Sequence, residues 1–497
     1  MWDVCVIGGG ATGLGTALDA VTRGYRTVLV ERDDFAKATS SRSTKLIHGG
    51  VRYLRQGRVP LVLEALRERG LLLLNAPHLV RTLEFIIPAH AAWETAFYAA
   101  GLRLYDLLAG RLGFAASRVL TREEVLARLP GIKPEGLRHG IAYSDAQFDD
   151  ARLAITLART IADHGGIALN YAPVTGLMKR AGKIAGVRIR DAETGVERDI
   201  EARVVINATG VFTDAIRRLD EAAAAPVIAA SQGAHVVLPP EYLGGTSAMM
   251  IPKTSDGRLL FAIPWHGRLI VGTTDNLVTD IAAEPRPMEA EIDFILSTAG
   301  RFMARAPRRA DILSAYAGLR PLVHAGRARR SATISREHTI LTSASGLVSI
   351  AGGKWTTYRK MAEDTVDHAA RLAGLAERPC ETAALRLHGW TEAANGPLGV
   401  FGSDAEGIAA LGRPEPVHPR LTYTAAEVIW SARHEMARRV EDVLARRTRA
   451  LLLDAAASIE AAPGVARLMA AELQRDEQWI AAQVSSYTEL ARGYLGG

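Results

Sequence analysis

Cysteine is almost absent: the 497 residues hold two, Cys5 in an apolar run and Cys380 far along the chain, with no CxxC pair and no zinc-binding spacing. That excludes a disulfide framework and a cysteine-built metal centre, so no metal is expected and a reduced, cytosolic setting fits best. No run of about eighteen apolar residues escapes interruption by charge, which excludes a bilayer-spanning helix. No basic leader precedes the first apolar segment, so no secretory signal is expected. Internal repeats and low-complexity tracts are missing too. Nor does one sign of charge dominate: the formal net charge is +6, and the basic residues are scattered. Small anions or an anionic surface are therefore better partners than a nucleic acid. What remains is the balance of a globular protein, 48% hydrophobic and 23% charged, at a length that calls for two or three domains.

The first forty residues carry a dinucleotide signature. In "DVCVIGGGATGLGTALDAVTRGYRTVLVERDD" a short apolar strand ends in Gly8-x-Gly10-x-x-Gly13. Leu14, Ala17, Leu18 and Val21 then recur at helical spacing, and Gly24 stands where a helix-ending glycine belongs. A second strand ends on Glu31, twenty-one residues after Gly10. The glycines permit a tight turn and close backbone approach, the helix N-terminus favours a pyrophosphate, and the acid accepts from ribose hydroxyls. An acid there disfavours a 2′-phosphate, leaving FAD or NAD.

Two later segments favour FAD. "VVINATG" is an apolar strand running into the turn at Gly210, of the kind that returns beside a bound dinucleotide. In "SIAGGKWTTYRKMAEDTVDHAARLAG" a strand meets Gly352-Gly353, and Thr356 to Leu372 has helical spacing with Met361, Val366 and Ala369 among its apolar positions. That helix start would aim its N–H groups at a flavin carbonyl, with Lys354, Thr356 and Thr357 as further donors. A nicotinamide enzyme needs no such late turn.

The chain resembles the FAD-dependent glycerol-3-phosphate dehydrogenases, membrane-associated enzymes that pass electrons to quinone. The resemblance is carried, in family order, by "IGGGATG", "ATSSRSTKLIHGGVRYL", "EALRERGLLLLNAPHLV", "YSDAQFDDARL", "NATGVFTD", "IPWHGRLIVGTTD", "AGLRPL", "AGGKWTTYRKMAED" and "RHEMARRVEDVLARRTRALLLD". It implies oxidation of sn-glycerol 3-phosphate to dihydroxyacetone phosphate by hydride transfer to a non-covalent FAD. A membrane quinone would be the acceptor, and the protein would attach peripherally to the cytoplasmic face of the inner membrane. The rivals are a glycerol-3-phosphate oxidase using oxygen and an amine or amino-acid oxidase on the same scaffold. Monomer or homodimer stays open.

A phosphate dianion calls for guanidinium partners, and Arg52, Arg320 and Arg336 stand in the matching motifs. The resemblance gives Arg52, Tyr53 and Arg336 to substrate or flavin-proximal groups, with Lys354 beside them, and puts Arg320 near the reacting hydroxyl. Arginine does not readily accept a proton, so Arg320 is expected to stabilise a developing alkoxide. His48 and His235 both remain candidates for the base; His266 reads as a hairpin turn. The polar stretch "TSSRSTKLIHGGVRYL" is expected to run along the cofactor through Thr39, Ser40, Ser41, Ser43, Lys45 and Leu46. Gly49 and Gly50 would allow close approach to the ring, with His48 on the substrate side and Arg42 lacking an assigned partner.

The expected fold class is α/β: a Rossmann-like FAD-binding domain from 1–75, 140–225 and 310–375, an antiparallel-sheet substrate domain from 76–139 and 226–309, and an all-helical C-terminal domain over 385–497. Ala91 to Gly113 could lie in a bilayer interface or be buried between domains. Arg438, Arg439, Arg446, Arg447 and Arg449 read as a solvated helix face or as partners for anionic headgroups.

Overall fold

The computed structural model describes residues 1–497 apart from 56, 253, 255, 256, 324–337, 393, 395 and 497, and apart from the side chains of 52 and 55. Val4 to Ile7, four apolar residues in a row, are buried within the strand Trp2–Ile7, as suits a strand covered on both faces. This strand pairs in parallel with Thr27–Val30 on one side and Glu197–Asn207 on the other. Val348–Gly352 and Ile167–Leu169 extend the parallel set at its two ends. The helix Ala11–Thr22 buries Leu14, Ala17, Leu18 and Val21, the stripe its spacing predicts, and Gly24 follows its end at φ +79°. It packs between the helices Asp150–Asp163 and Tyr358–Leu372 in one apolar core.

A second sheet has ten strands among the described residues. Ile228–Leu238 pairs antiparallel with Ser314–Val323 and with Arg268–Gly272, while Val80–Ala89 pairs antiparallel with His139–Phe148. Ala248–Ile251 joins these halves by pairing with both Leu260–Trp265 and Val80–Ala89. His266 and Gly267, at φ +46° and +69°, form the two-residue turn between Leu260–Trp265 and Arg268–Gly272. That is the hairpin geometry left-handed residues permit. The sheet also recruits Leu46–Ile47, His139–Phe148 and Ser314–Val323, which the sequence grouping assigned to the FAD-binding pieces. Those strands adjoin cofactor motifs along the chain but hydrogen-bond within the second sheet.

The helices Ala425–His434, Ala455–Leu473 and Glu477–Arg492 share an apolar core with Trp265 and Tyr316 of the second sheet. Here three of the five arginines depart from both readings of the run, while Arg438 stays exposed. Arg446, Arg447 and Arg449 are buried: Arg446 and Arg447 converge on Asp34, while Arg449 reaches Asp150 and the Ser41 carbonyl. Arg438 pairs with Glu193, and Arg439 lies 4.3 Å over the Tyr171 ring. Burial raises the Asp34 carboxyl, but Arg447 and Arg446 outweigh it and hold the group well below the usual carboxylate range. Side chains that look like a solvated face instead bind the helical region to the loop following Glu31.

Candidate active site

Two cavities of about 370 and 290 Å³ meet at Thr39, Pro321, Gly353, Lys354 and Trp355. The larger is made by backbone. Gly8 sits at φ +113°, and a Cβ there would lie 2.7 Å from the Ala208 carbonyl oxygen. A Cβ on Gly13 would come within 1.8 Å of the Gly8 oxygen, so only glycine lets the helix approach the strand this closely. Gly10, Thr39, Ser40 and Gly210 line the same space, and Ser40 Oγ accepts from the Ala11 N–H at 2.9 Å. At the far end Glu31 accepts from the N–H groups of Gly9 (2.6 Å) and Asp33 (2.9 Å). Burial pushes its carboxyl up and these donors pull it down, with burial ahead. A carboxylate offers about four acceptor positions, so two remain for ribose hydroxyls. The glycine cradle, the helix N-terminus and this acid fit a dinucleotide, and the Gly353 turn, at φ +78°, closes the end toward the second cavity.

The smaller cavity is made by side chains. Arg320, from Ser314–Val323, donates to Thr273 Oγ1 and the Thr274 carbonyl, each at 3.1 Å, and to Asp275 Oδ1 at 3.3 Å. Asp275 in turn accepts from Ser231 Oγ. One strand away, His235 is buried; its Nε2 lies 3.0 Å from Thr44 Oγ1, and its ring stacks on Tyr316 with centroids 4.8 Å apart. Burial, then Lys45 and Arg320, hold the His235 pKa well below the ordinary imidazole value, so the ring is neutral. Ser43, Leu46, His48, Gly50, Tyr53, Lys354 and Thr356 complete the wall with an apolar side of Phe85, Tyr143, Met250 and Phe261. Lys354 Nζ lies 3.9 Å over the Tyr53 ring.

Not every expected residue reaches a cavity. Lys45 is the clearest departure: it is fully buried, its Nζ is 2.7 Å from both Asp150 Oδ2 and the Ser41 carbonyl, and it lines neither space. Burial lowers its pKa to about 7, although Asp150 opposes the change. Ser41 and Thr357 are also turned into the interior. Gly49 gives its N–H to Tyr105 Oη at 2.8 Å and leaves the cavity wall to Gly50, at φ +79°. Arg42 has partners after all, Glu284 and Tyr494. Arg52 contributes backbone to the helix Val51–Arg55, and Arg336 lies outside the described residues. Sequence reasoning missed Thr273, Asp275, Tyr316 and Arg258, all of which touch the site. The motif "IPWHGRLIVGTTD" contained the first two but gave no clue to their partner.

Residues 3–359 match the model of the FAD dependent oxidoreductase family, and residues 346–480 match the C-terminal domain of alpha-glycerophosphate oxidase. The mitochondrial glycerol-3-phosphate dehydrogenase of Homo sapiens is 40% identical, over 96% of this chain and 71% of that one. The Arabidopsis thaliana mitochondrial enzyme is also 40% identical, over 96% and 83%. The glycerol-3-phosphate dehydrogenase from Bacillus halodurans, solved with FAD, superposes with a TM-score of 0.81 at 30% identity, covering 100% of this chain and 95% of that one. The L-alpha-glycerophosphate oxidase from Mycoplasma pneumoniae shares the fold, with a TM-score of 0.59 at 18% identity over 77% and 97%. With a dinucleotide cradle that fits FAD, and with relatives matched along almost its whole length, the chain belongs to the FAD-dependent glycerol-3-phosphate dehydrogenase family.

Proposed function

We propose that the protein oxidises sn-glycerol 3-phosphate to dihydroxyacetone phosphate and passes the electrons to a membrane quinone. The observation that carries this reading is the junction of the cavities, where Arg320, His235 and Lys354 face a space that opens directly on the dinucleotide cradle. Bound FAD supplies a two-electron acceptor for the hydride from substrate C2. The protein's own work is to hold the phosphate and manage the proton. Lys354 and, from the family motifs, Arg52 and Arg336 are the cations proposed for the dianion. Arg320, held on three sides by Thr273, Thr274 and Asp275, stabilises the oxygen as negative charge grows on it.

His235 is the proposed proton acceptor, on the strength of its place in the cavity wall next to Arg320 and its neutral ring, stacked on Tyr316 and hydrogen-bonded to Thr44. An imidazolium between Lys45 and Arg320 is unfavourable in the empty cavity. The dianionic substrate brings the negative charge that offsets it.

A peripheral membrane site is supported by the helix Ala92–Ala109. It buries Leu102 and Tyr105 but turns Trp93 (68% exposed), Phe97 (51%), Leu104 (46%) and Leu107 (77%) outward, with Arg103 and Arg111 at their side. A helix buried between domains would not present such a face; a bilayer interface would cover it. No helix among the described residues is long and apolar enough to cross a membrane.

Adding glycerol 3-phosphate anaerobically to the yellow protein tests the chemistry: bleaching with formation of dihydroxyacetone phosphate is expected. Bleaching by glycine or sarcosine instead would overturn it. Reoxidation by a soluble quinone analogue should outpace oxygen uptake, and rapid peroxide formation would favour the oxidase reading.

A further inference from the structure

Asp150 stands in "YSDAQFDDARL", a motif with no part in the chemistry above, and its carboxylate is fully buried at the start of the helix Asp150–Asp163. Its Oδ2 accepts from the Ser43 N–H (3.0 Å), from Ser43 Oγ (2.7 Å) and from Lys45 Nζ (2.7 Å). Its Oδ1 accepts from Arg449 Nη2 and from the Ala151 N–H, each at 2.9 Å. Five donors from three parts of the chain thus meet on one carboxylate. Three of them belong to the short turn in which Lys45 adopts φ +62°. A left-handed lysine is unfavourable by about 1–2 kcal/mol and persists only where its surroundings fix it. The Asp150 carboxylate is what fixes it.

Between Ser43 and Lys45 lies Thr44, which lines the substrate cavity and whose Oγ1 meets His235 Nε2. The same turn holds the other side of the imidazole, since Tyr316 stacks on the ring and donates its hydroxyl to the Ser43 carbonyl at 3.2 Å. His235 Nδ1 is buried with no hydrogen-bond partner among the described residues, so its only polar anchor among them is Thr44. We propose that Asp150 is a positioning residue: by clamping the Ser43–Lys45 turn it presents Thr44 to His235, and Thr44 fixes the orientation of the proton-accepting ring. Arg449 completes the clamp from the C-terminal helices, so that region takes part in aligning the active site. The inference rests on the reading of His235 as proton acceptor.

A double-mutant cycle tests it. Thr44→Val removes one hydroxyl at constant shape, so folding is spared. It should lower kcat about tenfold while flavin content, visible spectrum and KM for glycerol 3-phosphate stay within about twofold; Thr44→Ser should restore the rate. Asp150→Asn should lower kcat at least as far, and the double variant should be no slower than Asp150→Asn alone, because both act through one contact. His235→Asn, made alongside, should cost on the order of a hundredfold or more. A wild-type rate for Thr44→Val beside a crippled His235→Asn, or losses that multiply in the double variant, would overturn the proposal alone. A wild-type rate for His235→Asn would overturn the reading beneath it as well. If Asp150→Asn loses its fold, the Thr44 pair still decides.

Discussion

The two cavities share five wall residues yet are made of different material. The dinucleotide cavity is largely backbone: two glycines, Gly8 and Gly13, that tolerate no Cβ, the start of one helix, and the Glu31 carboxylate held by two N–H groups. The smaller cavity, the proposed substrate site, is side chains, each steadied by another from elsewhere in the chain: Arg320 by Asp275, His235 by Thr44, Lys354 over Tyr53. A backbone site binds whatever fits its shape and changes little when one side chain is lost. A side-chain site depends on orientation, so single substitutions there should alter chemistry without altering occupancy.

The sharpest way to break this contrast is a pair of variants. Gly13→Ala drives a methyl into the Gly8 carbonyl, forcing helix and strand apart. It should give protein purified without flavin, read from the ratio of visible to ultraviolet absorbance; a fully yellow product would show that the cradle is not backbone-limited. Arg320→Lys keeps charge but loses the planar fork that spans Thr273, Thr274 and Asp275. Here flavin content should be unchanged and anaerobic flavin reduction by substrate slower by on the order of 10²–10³, measured by stopped flow.

Both cavities back onto the same loop, 33–45, and the C-terminal arginines grip it, so a third variant should affect both together. Arg447→Met leaves Asp34 short of a partner in a dry interior and should cost roughly 3 kcal/mol in denaturant unfolding. Acid should act likewise. Asp34, Glu435 and Glu441 titrate below their ordinary values when folded, Glu441 at about 2, because arginines and Lys37 outweigh burial. Folded pKa values below the unfolded ones mean that the stability they confer is complete above about pH 4 and is lost as pH falls toward 2. Thermal unfolding followed from pH 6 to pH 3 should show that fall, and Arg447→Met should flatten it.

These materials also explain how much could be read from the sequence. Gly8, Gly10, Gly13 and Glu31 lie within one strand–helix–strand unit, and the helical stripe from Leu14 to Val21 is local, so spacing alone disclosed the cradle. The Gly353 turn could be read for the same reason. Lys45 was misassigned because a lysine among hydroxyls looks like a phosphate ligand, whereas Asp150, a hundred residues on, takes its charge. Arg446, Arg447 and Arg449 resembled a solvated face because their acceptors, Asp34 and Asp150, are some three to four hundred residues away. Asp275 stood in a quoted motif, but nothing local tied it to Arg320. Contacts between distant strands are created by topology, and composition and spacing do not encode them.

Lys354 lies on the wall common to both cavities, and sequence left it between cofactor and substrate. Its position above the Tyr53 ring places the ammonium toward the smaller cavity, since Tyr53 lines only that one. Losing one charged hydrogen bond to a phosphate costs about 1.5–3 kcal/mol. Lys354→Met should therefore raise KM for glycerol 3-phosphate by roughly ten- to a hundredfold with little change in flavin retention through gel filtration. Tyr53→Leu, which removes the ring but leaves the cation, should give a smaller rise in the same direction, about two- to fivefold for one cation–π contact. Loss of flavin with unchanged KM in Lys354→Met would instead assign this lysine to the dinucleotide cavity, and the junction would then be a cofactor feature rather than the place where the substrate is held.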